Sequence, residues 1–161
     1  MVKIKYLVRY LVEFYPYKEE LSKTRLTKMV YLVDWYNALK YGDQLTDIEW
    51  YFDHYGPYVV DVYDAVKEDQ RLLIKHDVTA YGSPKQVVVL KESHFEFLFK
   101  SKLDESTVEI LNQVIEDTKL LYWTDFIQYV YSTYPINNNH RYTKLNLSKL
   151  AIECKTKGIN I

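Results

Sequence analysis

Several residue types that mark specialised protein classes are scarce in this chain. Its 161 residues include one cysteine, four glycines and four prolines, and the formal net charge is −1. The single cysteine, Cys154, excludes an internal disulfide. Four separated glycines do not make the loop that cradles nucleotide phosphates. A net charge near zero gives no indication of a polyanionic partner, so we do not expect nucleic acid as a ligand.

Long apolar runs are also missing. No stretch approaches the ~20 apolar residues that span a membrane. Lys3, Lys5 and Arg9 interrupt the first ten residues, which therefore do not form the apolar core of a signal peptide. These absences predict a cytoplasmic protein that does not enter a membrane. The length predicts a single domain over 1–161, with an N-terminal helix and connection at 1–25 and a tail at 153–161.

Tyrosine, in contrast, is abundant, with 17 residues against six phenylalanines. A tyrosine side chain has a rigid apolar ring and a polar tip, which suits surfaces that bind other proteins. A lightly hydrophobic core in an organism whose composition favours tyrosine explains the same excess equally well. Composition alone leaves both interpretations open.

Apolar residues recur at helical spacing along much of the chain. The predicted helices cover 3–14, about 23–41, 58–69, 105–118 and 125–134, with Asp104 and Thr124 as caps of the last two. Ser22 is the expected N-cap of the second helix and Gly42 marks its end. This helix carries two apolar stripes, so we predict that it is central and buried on two sides.

Short runs rich in aromatic and β-branched residues predict strands at 50–55, 72–74 and 86–90. Together they predict a small three-stranded antiparallel sheet in an α+β domain that is mostly α-helical. Segment 93–102 fits either a strand or a short helix. Gly56 and Pro57 are expected to turn the first strand directly into the helix that begins at Tyr58.

This predicted corner between strand and helix supplies the candidate binding residues. The residues to which we assign structural roles are Asp34, Trp50, Phe52, Gly56 and Pro57. The candidate partner-binding residues are Tyr51, Tyr55, Tyr58 and Tyr63. For the first three of these tyrosines, an interface role and a core role both remain open. Asp34 lies between the two apolar stripes of its helix, where we expect it to bond either a tyrosine or the backbone of the corner.

The neighbouring histidines and carboxylates do not make a convincing catalytic or metal site. Adjacent residues on a strand point to opposite faces, so Asp53 and His54 are badly placed to act together. His94 and Glu96 would give two ligands at most, which is incomplete for a metal. Cys154 has only Lys155 beside it to activate a thiolate. We predict no catalytic residue, metal or cofactor, and keep a hydrolase using His94 and Glu96 as the enzyme alternative.

One basic cluster stands out, formed by Lys18, Lys23, Arg25 and Lys28. It is typical of a solvated helix face, and its functional interpretation is contact with an acidic protein or with phosphates. Helices with a small sheet also resemble a winged helix, so a small DNA-binding regulator is a second alternative.

Several motifs together resemble one known family. They are Lys-Met-Val-Tyr-Leu-Val-Asp-Trp-Tyr at 28–36, Tyr-Gly at 41–42, the aromatic run at 50–58 that ends in Tyr-Gly-Pro-Tyr, Val-Tyr-Asp at 62–64, Tyr-Ser-Thr-Tyr-Pro-Ile at 131–136, Arg-Tyr at 141–142 and Leu-Asn-Leu at 145–147. In this order they are similar to the Panacea domain, also called SocA-like, which includes phage-associated GepA-like proteins. The resemblance extends from about Leu26 to Ala151.

The resemblance implies an antitoxin of a bacterial or phage toxin–antitoxin system. Such domains bind a cognate protein toxin and neutralise it, and in part of the family the antitoxin hands its toxin to a protease or its adaptor. Many members carry an extra DNA-binding segment, for which we expect no room in this chain. A phage or prophage protein that acts on host machinery is equally compatible with the motifs. The resemblance implies no cofactor.

Overall fold

The computed structural model describes residues 1–91 and 102–159. The helices in these residues are α1 Ile4–Phe14, α2 Lys23–Tyr41, α3 Asp61–Glu68, α4 Glu105–Thr118, α5 Trp123–Ser132, α6 Tyr134–Asn137 and α7 Leu147–Thr156. The strands are β1 Tyr51–Asp53, β2 Gly56–Tyr58, β3 Leu72–Val78, β4 Pro84–Leu90 and β5 Thr143–Lys144. This confirms a mostly α-helical α+β fold with small antiparallel sheets. Except for Lys102, the segment 93–102, for which we predict a strand or a short helix, lies outside the described residues.

Helix α2 lies at the centre of the fold, as its two apolar stripes predict. It contacts α1, α3, α4 and α7, and both stripes are buried. Its N-cap is Ser22, whose Oγ accepts a hydrogen bond from the backbone N–H of Arg25 at 3.1 Å. Its last turn ends at Gly42, where a φ of 91° gives the left-handed conformation of a C-terminal cap. Burial all around α2 makes it the element on which the others are arranged.

The strands pair differently from the prediction. β1 lies between β2 and β5 in one three-stranded antiparallel sheet, and β3 and β4 form a separate two-stranded sheet. The prediction that 50–55 pairs with 72–74 and 86–90 is therefore wrong. Within each hairpin, the two strands pair with each other because they are neighbours in sequence. The third strand of the first sheet, Thr143–Lys144, is too short and too polar to give a strand pattern.

The predicted corner at Gly56 and Pro57 is also different. Instead of turning the strand into a helix, these residues form β2, with Gly56 opposite Asp53 and Pro57 opposite Phe52. The helix begins only at Asp61. Gly56 has a φ of 98°, which lets the chain reverse after its two-residue loop, and an edge strand tolerates the missing N–H of a proline.

Two smaller differences lie near the C-terminal part of the fold. Helix α5 starts at Trp123 with Tyr122 at its N-cap position, so Thr124 does not cap it. The chain makes one more helical turn, α6, directly beyond α5. Among the residues that the structure describes, no helix is both long and apolar enough to cross a membrane.

Candidate functional site

The aromatic hairpin, defined as residues 51–58, collects three of the four predicted partner-binding tyrosines. Tyr55 lies in its loop with 77% of its surface exposed, and Tyr58 on β2 is 36% exposed. Tyr51 is half-buried and pairs across the strands with Tyr58. The fourth, Tyr63, lies on α3, where the ammonium groups of Lys23 and Lys67 stand 4.3 and 4.7 Å from its ring centre. Tyr63 is thus outside the hairpin.

The opposite face of the hairpin belongs to the core. Trp50 is fully buried and meets the ring of Tyr31 edge-on, with the ring centres 5.5 Å apart. Phe52 is 4% exposed and makes the same kind of contact with Tyr131 at 6.2 Å. Period-two alternation therefore separates an inner anchoring face from an outer face of tyrosines.

Asp34 fixes the chain that leads into the hairpin. Its buried carboxylate accepts hydrogen bonds from the backbone N–H groups of Leu45 (3.0 Å) and Thr46 (2.8 Å). The Thr46 hydroxyl (2.6 Å) and the indole N–H of Trp50 (2.8 Å) donate to the same group. Burial raises the pKa of Asp34, and these four donors oppose that shift. We expected Asp34 to bond either a tyrosine or the backbone of the corner. The described hydrogen bonds come instead from the backbone that precedes the corner, from the Thr46 hydroxyl and from the Trp50 indole.

Lys28 reaches the hairpin from below. Its side chain is 2% exposed, and its Nζ donates to the backbone oxygens of Tyr55 at 2.8 Å and Pro57 at 3.4 Å. Burial lowers the pKa of Lys28 to about 8, against an opposing attraction from Asp53. Sequence reasoning placed Lys28 in the basic cluster. Its position on an apolar stripe of α2, beside Leu32, was the available sign that it is buried.

Two of the four residues of the predicted basic cluster are buried, so it does not form one exposed face. Arg25, like Lys28, is buried: its guanidinium donates to the backbone oxygens of Thr118 (3.0 Å) and Leu121 (2.5 Å) and lies 4.3 Å from the ring centre of Phe126. Lys18 donates to backbone oxygens at the end of α1. These cations satisfy the chain's own carbonyl groups, so the cluster gives no support to the DNA-binding alternative.

A distant segment fastens the other side of the hairpin. The backbone N–H of Tyr142 donates to the oxygen of Phe52 at 2.5 Å, and Arg141 Nε donates to the oxygen of His54 at 2.9 Å. The Tyr142 hydroxyl and His54 Nδ1 share a hydrogen bond of 3.0 Å. Tyr142 is itself 59% exposed and adds a further ring to the outer surface. Sequence reasoning missed this contribution because it comes from far along the chain.

The other histidine and carboxylate candidates remain separate. His76 is exposed on β3, and Asp77 forms an ion pair with Lys85 at 3.7 Å. Cys154 is buried, which raises the pKa of its thiol and disfavours the thiolate. In the described ranges, no group of three or more His, Cys, Asp or Glu side chains is arranged to hold a metal ion. His94 and Glu96 lie outside those ranges.

A second exposed aromatic surface borders a groove of about 940 Å³ between the β3–β4 hairpin and the start of α5. Its rim includes Tyr81, which is 97% exposed, Tyr122, which is 80% exposed, and Trp123, which is 46% exposed. Lys23 and His76 add polar groups to the lining. This groove is a second candidate for the surface that binds a protein partner.

The comparisons with known proteins give one match. The family model for the antitoxin SocA-like, Panacea domain matches residues 26–135, a span that includes most of α2, both hairpins and α5. No curated protein and no solved structure has significant similarity to the chain. Since the matched span is more than half of the 161 residues, the chain belongs to the SocA-like antitoxin family.

Proposed function

We propose that this protein neutralises a cognate protein toxin by binding it directly, without catalysing a reaction, and that the aromatic hairpin is the docking surface. The main support is the exposure of Tyr55 on a hairpin whose inner face is anchored in the core, together with the exposure of Tyr142 in the segment beside it. Tyrosine is among the residues that contribute most to protein interfaces. Membership of an antitoxin family makes a toxin the natural class of partner.

The rigidity of the hairpin backbone favours this surface. The backbone oxygens of Phe52, His54, Tyr55 and Pro57 all accept hydrogen bonds from groups outside the hairpin. A surface that is already ordered loses less conformational entropy when a partner binds. The exposed rings can then transfer apolar area out of water at a low ordering cost.

The charges around the hairpin are suited to partner selection. Lys144 and Glu49 form an exposed ion pair at 2.7 Å beside β1, and Arg141 covers the ring of Phe52 at 5.6 Å. Exposed charges at the edge of an interface influence association rate and specificity more than affinity. We therefore assign the choice of toxin to this charged border and the affinity to the tyrosine rings.

A co-expression assay tests the proposal. The product of the gene beside this one serves as the candidate toxin, and rescue of growth is compared for Tyr55→Ala, Tyr58→Ala and Tyr142→Ala. Each should weaken binding by about 2 kcal/mol if the residue is a hot spot, and together they should abolish rescue. Tyr41→Ala is the matched control, because Tyr41 is 52% exposed at the far end of α2, ~20 Å from Lys28 by helical rise.

The assay also separates the alternatives. Full rescue by the triple variant, with loss of rescue by Tyr81→Ala, would move the docking surface to the groove beside α5. Rescue that disappears in a host lacking its ATP-dependent proteases would indicate delivery of the toxin for degradation instead of occlusion. Growth inhibition by this protein alone would favour action on host machinery.

A further inference from the structure

The hairpin backbone lies directly on the Lys28 amine. Gly56 sits between Tyr55 and Pro57, whose carbonyl groups accept hydrogen bonds from this amine. A Cβ atom added to Gly56 would be 3.5 Å from Lys28 Nζ. The same atom would be 3.2 Å from the ring of Tyr131 on α5. The amine is therefore enclosed by α2, β2 and α5, with 2% of the lysine exposed.

The groups that face this amine are mostly neutral. Its two hydrogen-bond acceptors are backbone oxygens, so an ammonium with three N–H groups has two protein acceptors, one of them at 3.4 Å. From β1, Asp53 attracts the charge. From α5 the facing group is the Tyr131 ring, which the guanidinium of Arg141 covers at 5.9 Å. An ion pair in the core therefore does not explain why the Lys28 ammonium group is buried here.

We propose that Lys28 is the positioning residue of the docking surface: its two hydrogen bonds fix the Tyr55–Gly56 and Pro57–Tyr58 peptide groups and so set the direction in which Tyr55 projects. The inference rests on the proposed role of the aromatic hairpin in toxin binding. It assigns a function to a residue that does not itself touch the toxin.

The backbone explains why a positioning residue is needed here. Gly56 has a φ of 98°, and glycine populates many other conformations with little penalty. Pro57 cannot donate a hydrogen bond that would fix the strand. Without the Lys28 amine, the oxygens of Tyr55 and Pro57 turn towards water, and the peptide groups around Gly56 rotate with them.

Hydrogen exchange followed by mass spectrometry tests the inference on the free protein. We expect Lys28→Met to accelerate exchange in peptides covering 51–58 at least tenfold and to leave peptides from α4 unchanged. Methionine retains the length and apolar stem of lysine, so the core should stay filled. Unchanged exchange at 51–58 in a folded Lys28→Met variant would overturn the inference.

A second measurement needs no change at Lys28. The chain has four glycines, so [2-¹³C]glycine labelling gives four Cα signals that remain visible at high pH. The Gly56 signal should titrate with a midpoint of about 8, the pKa to which burial lowers Lys28, while the Gly42 signal should not. Asp53→Asn removes the attraction that favours the ammonium and should move the midpoint to lower pH. A Gly56 signal that is constant between pH 6.5 and 9.5 would contradict direct contact with this amine.

Toxin binding completes the test, with the purified product of the neighbouring gene as the probe. Lys28→Met should weaken binding at least tenfold. If Tyr55→Ala binds normally while Lys28→Met loosens the hairpin, the docking proposal fails and the positioning role stands. If Tyr55→Ala loses binding while Lys28→Met retains both affinity and slow exchange, the docking proposal stands and the positioning role fails.

Discussion

Two buried charges on α2 hold the two ends of the same segment in different ways. Asp34 accepts four hydrogen bonds from residues 45–50, which lead into the hairpin. Lys28 donates to two carbonyl groups at the other end of the hairpin. A buried charge is stable only when its environment supplies polar partners, so each residue constrains the backbone around it. The shape of the outer surface thus depends on residues that are inaccessible to a partner.

Asp34→Asn should destabilise the protein by about 2–4 kcal/mol, because an amide group turns one acceptor into a donor that faces other donors in a buried site. Chemical denaturation monitored by tryptophan fluorescence measures the change. Asp47→Asn is the matched control, since Asp47 is exposed within the segment that Asp34 holds and should change stability by less than about 0.5 kcal/mol. Equal midpoints for the two variants would contradict the role of Asp34.

Lys28 should make stability depend on pH in a definite direction. Its pKa is about 8 in the folded protein against an ordinary value of 10.5, so between these values the unfolded chain holds a proton that the folded chain has released. Stability therefore rises with pH in this window. From pH 7 to 9.5 the wild type should gain about 2 kcal/mol relative to Lys28→Met. Urea denaturation of both proteins at the two pH values measures this difference, and other titrating groups cancel in it.

At the scale of elements, the sequence predicted the helices better than the strand partners. The two apolar stripes of α2 identified the central helix, and Ser22, Gly42 and Asp104 marked helix ends that the structure confirms. Strand pairing depends on where the chain reverses direction. Here the chain reverses before Gly56 and forms a hairpin, whereas the sequence predicted that the strand leads directly into a helix. Local patterns also gave no sign of β5, which pairs with β1 from far along the sequence.

The candidate site was predictable in part for the same reason. Tyr51, Tyr55 and Tyr58 form one hairpin because they are close in sequence, although Tyr58 was predicted to begin a helix. Lys28, Arg141 and Tyr142 were not predictable as parts of the site. Their contacts to the hairpin span 27 or more residues of sequence, and tertiary packing alone brings them there.

Gly56→Ala should disturb the hairpin by two mechanisms. The residue would keep a φ of 98°, which is strained for alanine, and its Cβ would meet the Tyr131 ring at 3.2 Å. We expect a loss of about 1–3 kcal/mol and weaker toxin binding. Gly82→Ala separates the mechanisms, since Gly82 has a φ of 78° but no atom within 4 Å of the added Cβ. Thermal denaturation of Gly56→Ala should show the larger loss, and a larger loss for Gly82→Ala would be contrary to this account.

At the scale of the whole molecule, the residues that match the family model do not include the whole hydrophobic core. The model of the family ends at residues 26 and 135, but buried side chains from outside that span complete the surroundings of α2. Leu7 and Leu11 on α1 and Leu147 on α7 are fully buried. The fold around the proposed docking surface therefore depends on both flanks of the matched region.

A fragment of residues 26–135 should consequently fail to fold by itself. Removing α1 and α7 exposes two apolar sides of α2, and a single Leu11→Ala change in the full chain should already cost about 2–5 kcal/mol. Circular dichroism and thermal denaturation measure both effects. A cooperative thermal transition of the isolated fragment would show that the matched span is an independent domain.

The late position of β5 in the chain has a consequence for the lifetime of the protein's activity. During synthesis, β1 and β2 leave the ribosome long before Thr143 and Lys144 are made, so the nascent chain carries the hairpin without its third strand and without Arg141 and Tyr142. A single proteolytic cut between α6 and β5 would leave β5 attached to the rest of the protein only through its contacts with β1 and through α7. We expect such a nick to weaken the proposed toxin binding while most of the helical core stays folded.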